Sequence, residues 1–166
     1  DGITTSEVSM AAAAVTVTTA ATLANAGAIN GFTTGQVTLN SVEDTVANIT
    51  SIDGITTSEV SMAAAAVTVT NAATLANAGA INGFTTGQVT LNSVEDTVAN
   101  ITSIDGITTS EVSMAAAAVT ITDPASLANA IAINGFTEGL VTLNSVEDTV
   151  ANITSIDGLT TSDVSM

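Results

Sequence analysis

The chain has 166 residues, no Lys, Arg or His, and 16 Asp and Glu, for a formal charge of −16. Without cationic side chains it can neither neutralise a phosphate backbone nor sit on an anionic lipid surface, which excludes nucleic acid and leaves cations, neutral surfaces or further copies of itself as partners. Apolar residues make up 46% and charged ones only 10%, so the chain is no charge-expanded coil, and the lack of cysteine excludes disulfides and thiolate metal sites.

In chain order, the phrase DGITTSEVSM comes first, with Glu7–Met10 predicted as a short, weak strand. The run from Met10 to Ile29 is uncharged and long enough for a membrane span. It holds only four Val, Leu or Ile residues among Thr, Asn and Ala, so no membrane insertion is expected. Val15–Thr18 alternates apolar and polar and predicts a strand. Thr19 is an N-cap type and predicts a helix over about 20–29. Asn30 and Gly31 close that helix, the glycine expected in the left-handed position, with Phe32 buried beneath the turn. A second strand follows at Val37–Asn40. Ser41, with Asp44 three residues on, approaches a capping box and predicts a helix over about 42–52. Glu43 and Asp44 would then lie in its positive first turn. Val42, Val46, Ile49 and Ile52 fall on one face, and Asp53 and Gly54 close the element.

The same order then recurs. Asp1, Asp53, Asp105 and Asp157 open equivalent phrases, a period of 52 residues, with repeats at 1–52, 53–104 and 105–156 and the start of a fourth at 157–166. Repeats one and two differ only at Thr19 and Asn71; the third carries Ile121, Asp123, Pro124, Ser126, Ile131, Glu138 and Leu140. Positions 19, 71 and 123 thus read Thr, Asn and Asp, all capping types, and Pro124 suits a first helical position. Within a repeat, TLANAGAINGF (22–32) and TVANITSIDGI (45–55) are two versions of one phrase, so each repeat is two coils of about 23 and 29 residues. The sequence opens and closes within the pattern and reads as a segment of a longer array.

Strand, cap, helix and turn repeated in this way predict an α/β solenoid of parallel strands and short helices. Strands stack at about 4.8 Å and helices at about 8–10 Å, so the stack is expected to be curved or superhelical. Equivalent carboxylates such as Asp53 and Asp105 would form columns roughly 10 Å apart, two strand spacings.

The phrase SVEDTVANITSI, followed by a glycine turn and Thr/Val strands, resembles repeats of very large bacterial secreted and cell-surface proteins of cyanobacterial and proteobacterial type, which carry DTAANI-like helices before short strands. The resemblance spans all three repeats. It implies an extracellular structural or adhesive array with no catalytic residues. The calcium signature Gly-Gly-x-Gly-x-Asp frequent in that family is not in this chain.

Chemistry in the sequence is confined to carboxylates. Glu43 and Asp44 diverge on a helix and make no acid–base pair, so no enzyme activity is expected. Asp53 with Glu59, and Asp105 with Glu111, are the candidate calcium ligands, supported by carbonyls of the glycine turn. The plainer reading is that Asp53 closes a turn, as Asn30 does in the other coil. Calcium is the one cofactor considered, and other divalent cations are candidate partners. Asn48, Asn100 and Asn152 stand in glycosylation sequons; the plainer reading is a ladder of buried Asn amides, with Asn25 and Asn77 at the aligned place. Thr16, Thr18, Thr38 and Asn40 form a polar array that either matches an ice lattice or carbohydrate, or is a solvated strand face. Together these features point to a structural segment of an extracellular fibre, sheath or giant surface protein that assembles with copies of itself end to end. The alternatives are an adhesin stalk, calcium-stabilised or not, and an ice-binding Thr array.

Overall fold

A computed structural model describes residues 10–55, 59–107, 111–159 and 164–166. Strands and helices alternate: β1 (Val15–Ala21), α1 (Leu23–Asn30), β2 (Val37–Asp44), α2 (Val46–Ile55), β3 (Val60–Ser61), β4 (Ala66–Ala73), α3 (Leu75–Phe84), β5 (Val89–Asp96) and α4 (Val98–Ile107). They continue as β6 (Val112–Ser113), β7 (Ala118–Ile121), α5 (Leu127–Asn134), β8 (Val141–Leu143), α6 (Val150–Leu159) and β9 (Val164–Ser165). Because a helix returns the chain between successive long strands, all pairings are parallel. The described strands form one sheet in the order β1-β2-β4-β5-β7-β8-β9, with β3 beside β2 and β6 beside β5.

The core lies between this sheet and the helices. Val37, Leu39 and Val42 of β2 are buried, as are Val67 and Val69 of β4, and Ile49 and Ile52 of α2 close over them. Ala26, Ala78 and Ala130 are fully buried on their helices, where the small side chain lets helix and sheet approach closely. The expected alternation of the strands holds, with Thr38, Thr68 and Thr90 half-buried on the other face.

β3 and β4 share one edge of β2: Val60 and Ser61 pair with Val37 and Thr38, while Ala66–Val69 pair with Ser41–Asp44. Between them Met62–Ala65 turn out of the ladder, closed by the Ala65 N–H on the Met62 carbonyl at 2.9 Å. The next coil clasps this turn. Thr85 Oγ1 donates to the Ala65 carbonyl at 2.6 Å and accepts from the Gly87 N–H at 2.9 Å, and the Thr86 N–H donates to the Ala63 carbonyl at 2.8 Å. Thr85 is 6% exposed, and its hydroxyl, used as both donor and acceptor, makes that burial affordable. Glycine at 87 is required by the close approach, since a Cβ there would stand 2.2 Å from the Ala65 carbonyl oxygen.

The register drifts along the sheet. Val42 lies opposite Val67, and Val67 opposite Val89, which occupies in the sequence the place of Val37 one repeat earlier. The five-residue offset is roughly 16 Å along the strand; combined with two strand spacings it separates equivalent residues by roughly 19 Å rather than 10 Å. The drift also cuts the hydroxyl rows. Thr68 and Thr90 face each other, but the neighbour of Thr68 on the other side is Glu43, and that of Thr120 is Glu95.

Several expectations are corrected. Helices begin at Leu23 and Val46, not at 20 and 42, because Ser41–Asp44 continue β2 and pair with β4. Strand pairing and the burial of Val42 outweigh the local capping signal at Ser41. Pro124 is not a first helical residue: α5 starts at Leu127. Its missing N–H instead shortens β7, which stops at Ile121 where β4 runs on to Ala73. No described glycine has positive φ; Gly31 is right-handed at φ −69°, and α2 and α3 run through Gly54 and Gly83. Phe84 and Phe136 are half-buried against the core, but Phe32 is 63% exposed. The strand expected at Glu7–Met10 lies, but for Met10, outside the described residues; its counterparts are β3, β6 and β9.

Two glycine substitutions should therefore differ in sign. Gly87→Ala should lower stability by about 1–3 kcal/mol through overpacking. Gly79→Ala, in an open position on α3 where a Cβ meets nothing within 4 Å, should raise it by about 0.5–1 kcal/mol. Urea midpoints of the two variants measure both.

Candidate functional site

The first N–H groups of a helix have no partner inside it and carry the positive end of its dipole. Here they are satisfied in two layers. Within each coil, Thr22 Oγ1 accepts from the Asn25 N–H at 3.3 Å while Asn25 Oδ1 accepts from the Thr22 N–H at 3.1 Å, a capping box. Thr74 with Asn77 and Ser126 with Asn129 repeat it. On α2, Thr45 Oγ1 accepts from the Asn48 N–H at 3.3 Å, and Asp44 Oδ1 accepts from the Thr45 N–H and the Asn48 amide, both at 2.8 Å.

The second layer crosses between coils. Asp44 Oδ2 accepts from the Leu23 N–H at 3.0 Å, Asn71 Oδ1 from the Val46 N–H at 2.8 Å, and Asp96 Oδ2 from the Leu75 N–H at 2.9 Å. Asp123 Oδ1 does the same for Val98 at 2.8 Å, and Asp148 Oδ2 for Leu127 at 2.9 Å. Each helix from α1 to α5 thus has its first N–H capped by a side chain from the segment that leads into the next coil's helix. Positions 71 and 123 are caps, as their residue types suggest, but for the preceding helix rather than the following one. This seam was not legible from one coil alone, since its partners are 21 or 25 residues apart. The one available signal was the Thr/Asn/Asp substitution at positions 19, 71 and 123.

The seam shifts its own carboxylates. Burial pushes Asp44 and Asp96 up, but the hydrogen bonds from Leu23, Asn48 and Thr45, and from Leu75, Asn100 and Thr97, outweigh it and hold both below the ordinary value of 3.8. Asp148 is held down chiefly by the Leu127 N–H, then by Asn152 and Thr149. Glu43 and Asp44, neighbours on β2, point to opposite faces and form no joint carboxylate site.

The candidate calcium ligands sit beside this seam. Asp53 is half-buried on α2, and Glu59 is exposed just before β3, with residues 56–58 between them outside the description. Glu59 Oε2 accepts from the Asn30 amide at 2.9 Å, and Glu111 Oε2 from the Asn82 amide at 3.1 Å; Asp105 occupies on α4 the place of Asp53. Among the described residues no three acidic side chains gather around one point. Asn30, Phe32, Thr34 and Glu59 line a cleft of about 300 Å³. The sequon residues Asn48, Asn100 and Asn152 do not form a ladder between coils. Each donates through Nδ2, the atom a glycan would take, to the aspartate four residues earlier.

No family model, curated protein or solved structure matches the chain. The site therefore stands on its geometry.

Asp96→Ala removes the acceptor for Leu75, Thr97 and Asn100 together and should cost about 1–3 kcal/mol, read as a lower denaturation midpoint. The acid response has a defined sign. A carboxyl held below its unfolded value contributes stability that is complete above that value and is lost as pH falls through the folded one. Denaturation midpoints should hold steady from neutral pH to about 4 and fall below it; a midpoint unchanged at pH 2.5 would contradict the seam.

Proposed function

We propose that the chain is a structural segment of an extracellular fibre, sheath or giant surface protein, built as a solenoid of 52-residue repeats whose coils associate end to end. The observation that carries this reading is that successive repeats are joined in one and the same way: Ser41–Asp44 pair with Ala66–Val69, and Ser93–Asp96 pair with Ala118–Ile121, the same segments 52 residues on. Val42, Val67, Val94 and Val119 are buried along these ladders. A surface that ties one repeat to the next in this way serves equally for further repeats or further copies.

Such a segment needs no catalytic group and no membrane span, and no described helix is long and apolar enough to cross a membrane. The resemblance of SVEDTVANITSI to repeats of large bacterial surface proteins supports the extracellular setting. A stalk beneath an adhesive domain is the second reading, favoured by the exposed ring of Phe32 over its cleft. The short hydroxyl rows, those of Thr68 and Thr120 stopped by Glu43 and Glu95, speak against an ice-lattice match.

Concentration-dependent association tests the reading. The Val15 N–H donates to the Gln36 carbonyl, so Thr16, next along β1, turns its own N–H away from β2, to the side where no described strand pairs. Sedimentation and negative-stain imaging should find linear polymers of the chain, and Thr16→Pro, which removes that donor, should remain monomeric and folded. A stable monomer of the unmodified chain at about millimolar concentration, more than a hundredfold above the Kd of a micromolar joint, overturns end-to-end stacking.

A further inference from the structure

Among the described residues, the buried side-chain polar atoms without a hydrogen-bond partner are the Oδ1 atoms of Asn30, Asn82 and Asn134. These are also the asparagines that precede a glycine: Asn30 before Gly31, Asn82 before Gly83 and Asn134 before Gly135. Folded chains rarely leave a buried acceptor unpaired, so its recurrence at one place in three repeats asks for a chemical reason.

An asparagine before glycine is able to modify itself. The glycine nitrogen gives its proton to water and bonds to the asparagine Cγ, and the negative charge passes to Oδ1. The Cγ–Nδ2 bond then breaks, ammonia leaves with the proton returned to it, and water opens the cyclic imide to aspartate or isoaspartate. The net change is water taken up and ammonia released, without oxidation. Here each step is denied what it needs. The Gly31 N–H is spent on the Gly27 carbonyl at 3.1 Å, the Gly135 N–H on the Ile131 carbonyl at 3.2 Å, and Gly83 lies inside α3. Helical side chains lean toward the N-terminus, away from the nitrogen that would attack. Oδ1, where charge would develop, has no donor beside it. Nδ2, the leaving group, donates to Glu59 Oε2 at 2.9 Å from Asn30 and to Glu111 Oε2 at 3.1 Å from Asn82, carboxylates with no proton to return. We propose that Asn30 and Asn82 are self-modification sites, held silent in the closed coil by Glu59 and Glu111, and that an asparagine converted during opening faces its old glutamate partner as a carboxylate and keeps the coil from closing. The chain has no cationic side chain to relieve that pair.

Peptides released by cleavage after glutamate carry Thr19 with Asn30 and Asn71 with Asn82, so mass spectrometry reads the two sites separately in one chain. At mildly alkaline pH the folded chain should deamidate at both far more slowly than the chain unfolded in urea. Glu111→Ala should raise the rate at Asn82 about fivefold, the effect of one hydrogen bond on an opening equilibrium, and leave Asn30 unchanged. Glu111→Gln keeps an oxygen acceptor and should restore the slow rate. Asn82→Asp installs the product carboxylate, which should lower the urea midpoint beside Glu111 and much less in combination with Glu111→Gln. Equal rates at Asn82 with and without the Glu111 carboxyl, or in folded and unfolded chains, overturn the guarding role. A loss from Asn82→Asp that survives Glu111→Gln overturns the block to closing. These readouts hold whether or not copies associate.

Discussion

The structure depends on what happens to the first N–H of each helix. A helix of 8 to 10 residues is too short to hold itself together in water, and these helices have neither a basic last turn nor an acidic first turn to help them. Their stability has to come from packing and from caps. By placing one of those caps on the neighbouring coil, the chain ties helix formation in one coil to strand register in the next. A strand slipped by one residue would bring Glu43 or Thr45 rather than Asp44 toward Leu23, and it would turn Val42 away from the core. Register and capping therefore select the same arrangement.

The alanine turn and its clasp solve a second constraint. The long coil carries residues that the short coil lacks, and a parallel ladder accommodates an insertion only if the extra residues leave it with their polar groups satisfied. Met62–Ala65 leave the ladder, and Thr85 and Thr86 take up the Ala65 and Ala63 carbonyls this exposes, while the Gly87 N–H donates to Thr85 Oγ1. Small side chains are needed on one side and a missing Cβ on the other, which accounts for the three alanines of the turn facing a Thr-Thr-Gly. The third repeat replaces Thr86 by Glu138, whose N–H still donates to the Ala115 carbonyl at 2.7 Å, and keeps the rest of the clasp, with Thr137 Oγ1 donating to the Ala117 carbonyl at 2.6 Å.

Much of the fold was legible in the sequence for physical reasons. Period-two alternation marks Val37–Leu39 as a strand whichever neighbour it meets, and a helix between successive strands compels parallel pairing. The boundaries were harder. TLANAGAINGF and TVANITSIDGI each begin with the true N-cap, Thr22 and Thr45, yet Ser41-Val42-Glu43-Asp44 carries a local signal for a helix start that only its pairing with β4 overrides. The seam was harder still. Asn71 and Asp123 have the chemistry of caps, but which helix they cap follows from the offset between coils, and no single coil contains that offset. The register drift also comes from pairing, which is why hydroxyl rows and charge columns inferred from repeat spacing alone came out too regular.

The same geometry accounts for a chain that holds 16 carboxylates and no cationic side chain. A carboxylate removed from water needs donors, and the usual supply is Arg or Lys. Here Asp44 receives the Leu23 and Thr45 N–H groups and the Asn48 amide, so backbone dipoles and one neutral side chain do that work. The net lowering of its titration point is the signature of donors exceeding the cost of burial. Glu43 and Glu95 lie exposed on the sheet, and the drift sets such equivalent acids roughly 19 Å apart, about twice the Debye length of physiological salt. Their mutual repulsion along the sheet is small, while a surface of one sign still keeps neighbouring chains apart. Cationic side chains would add attraction between chains and competing partners for the seam aspartates. A purely acidic chain avoids both.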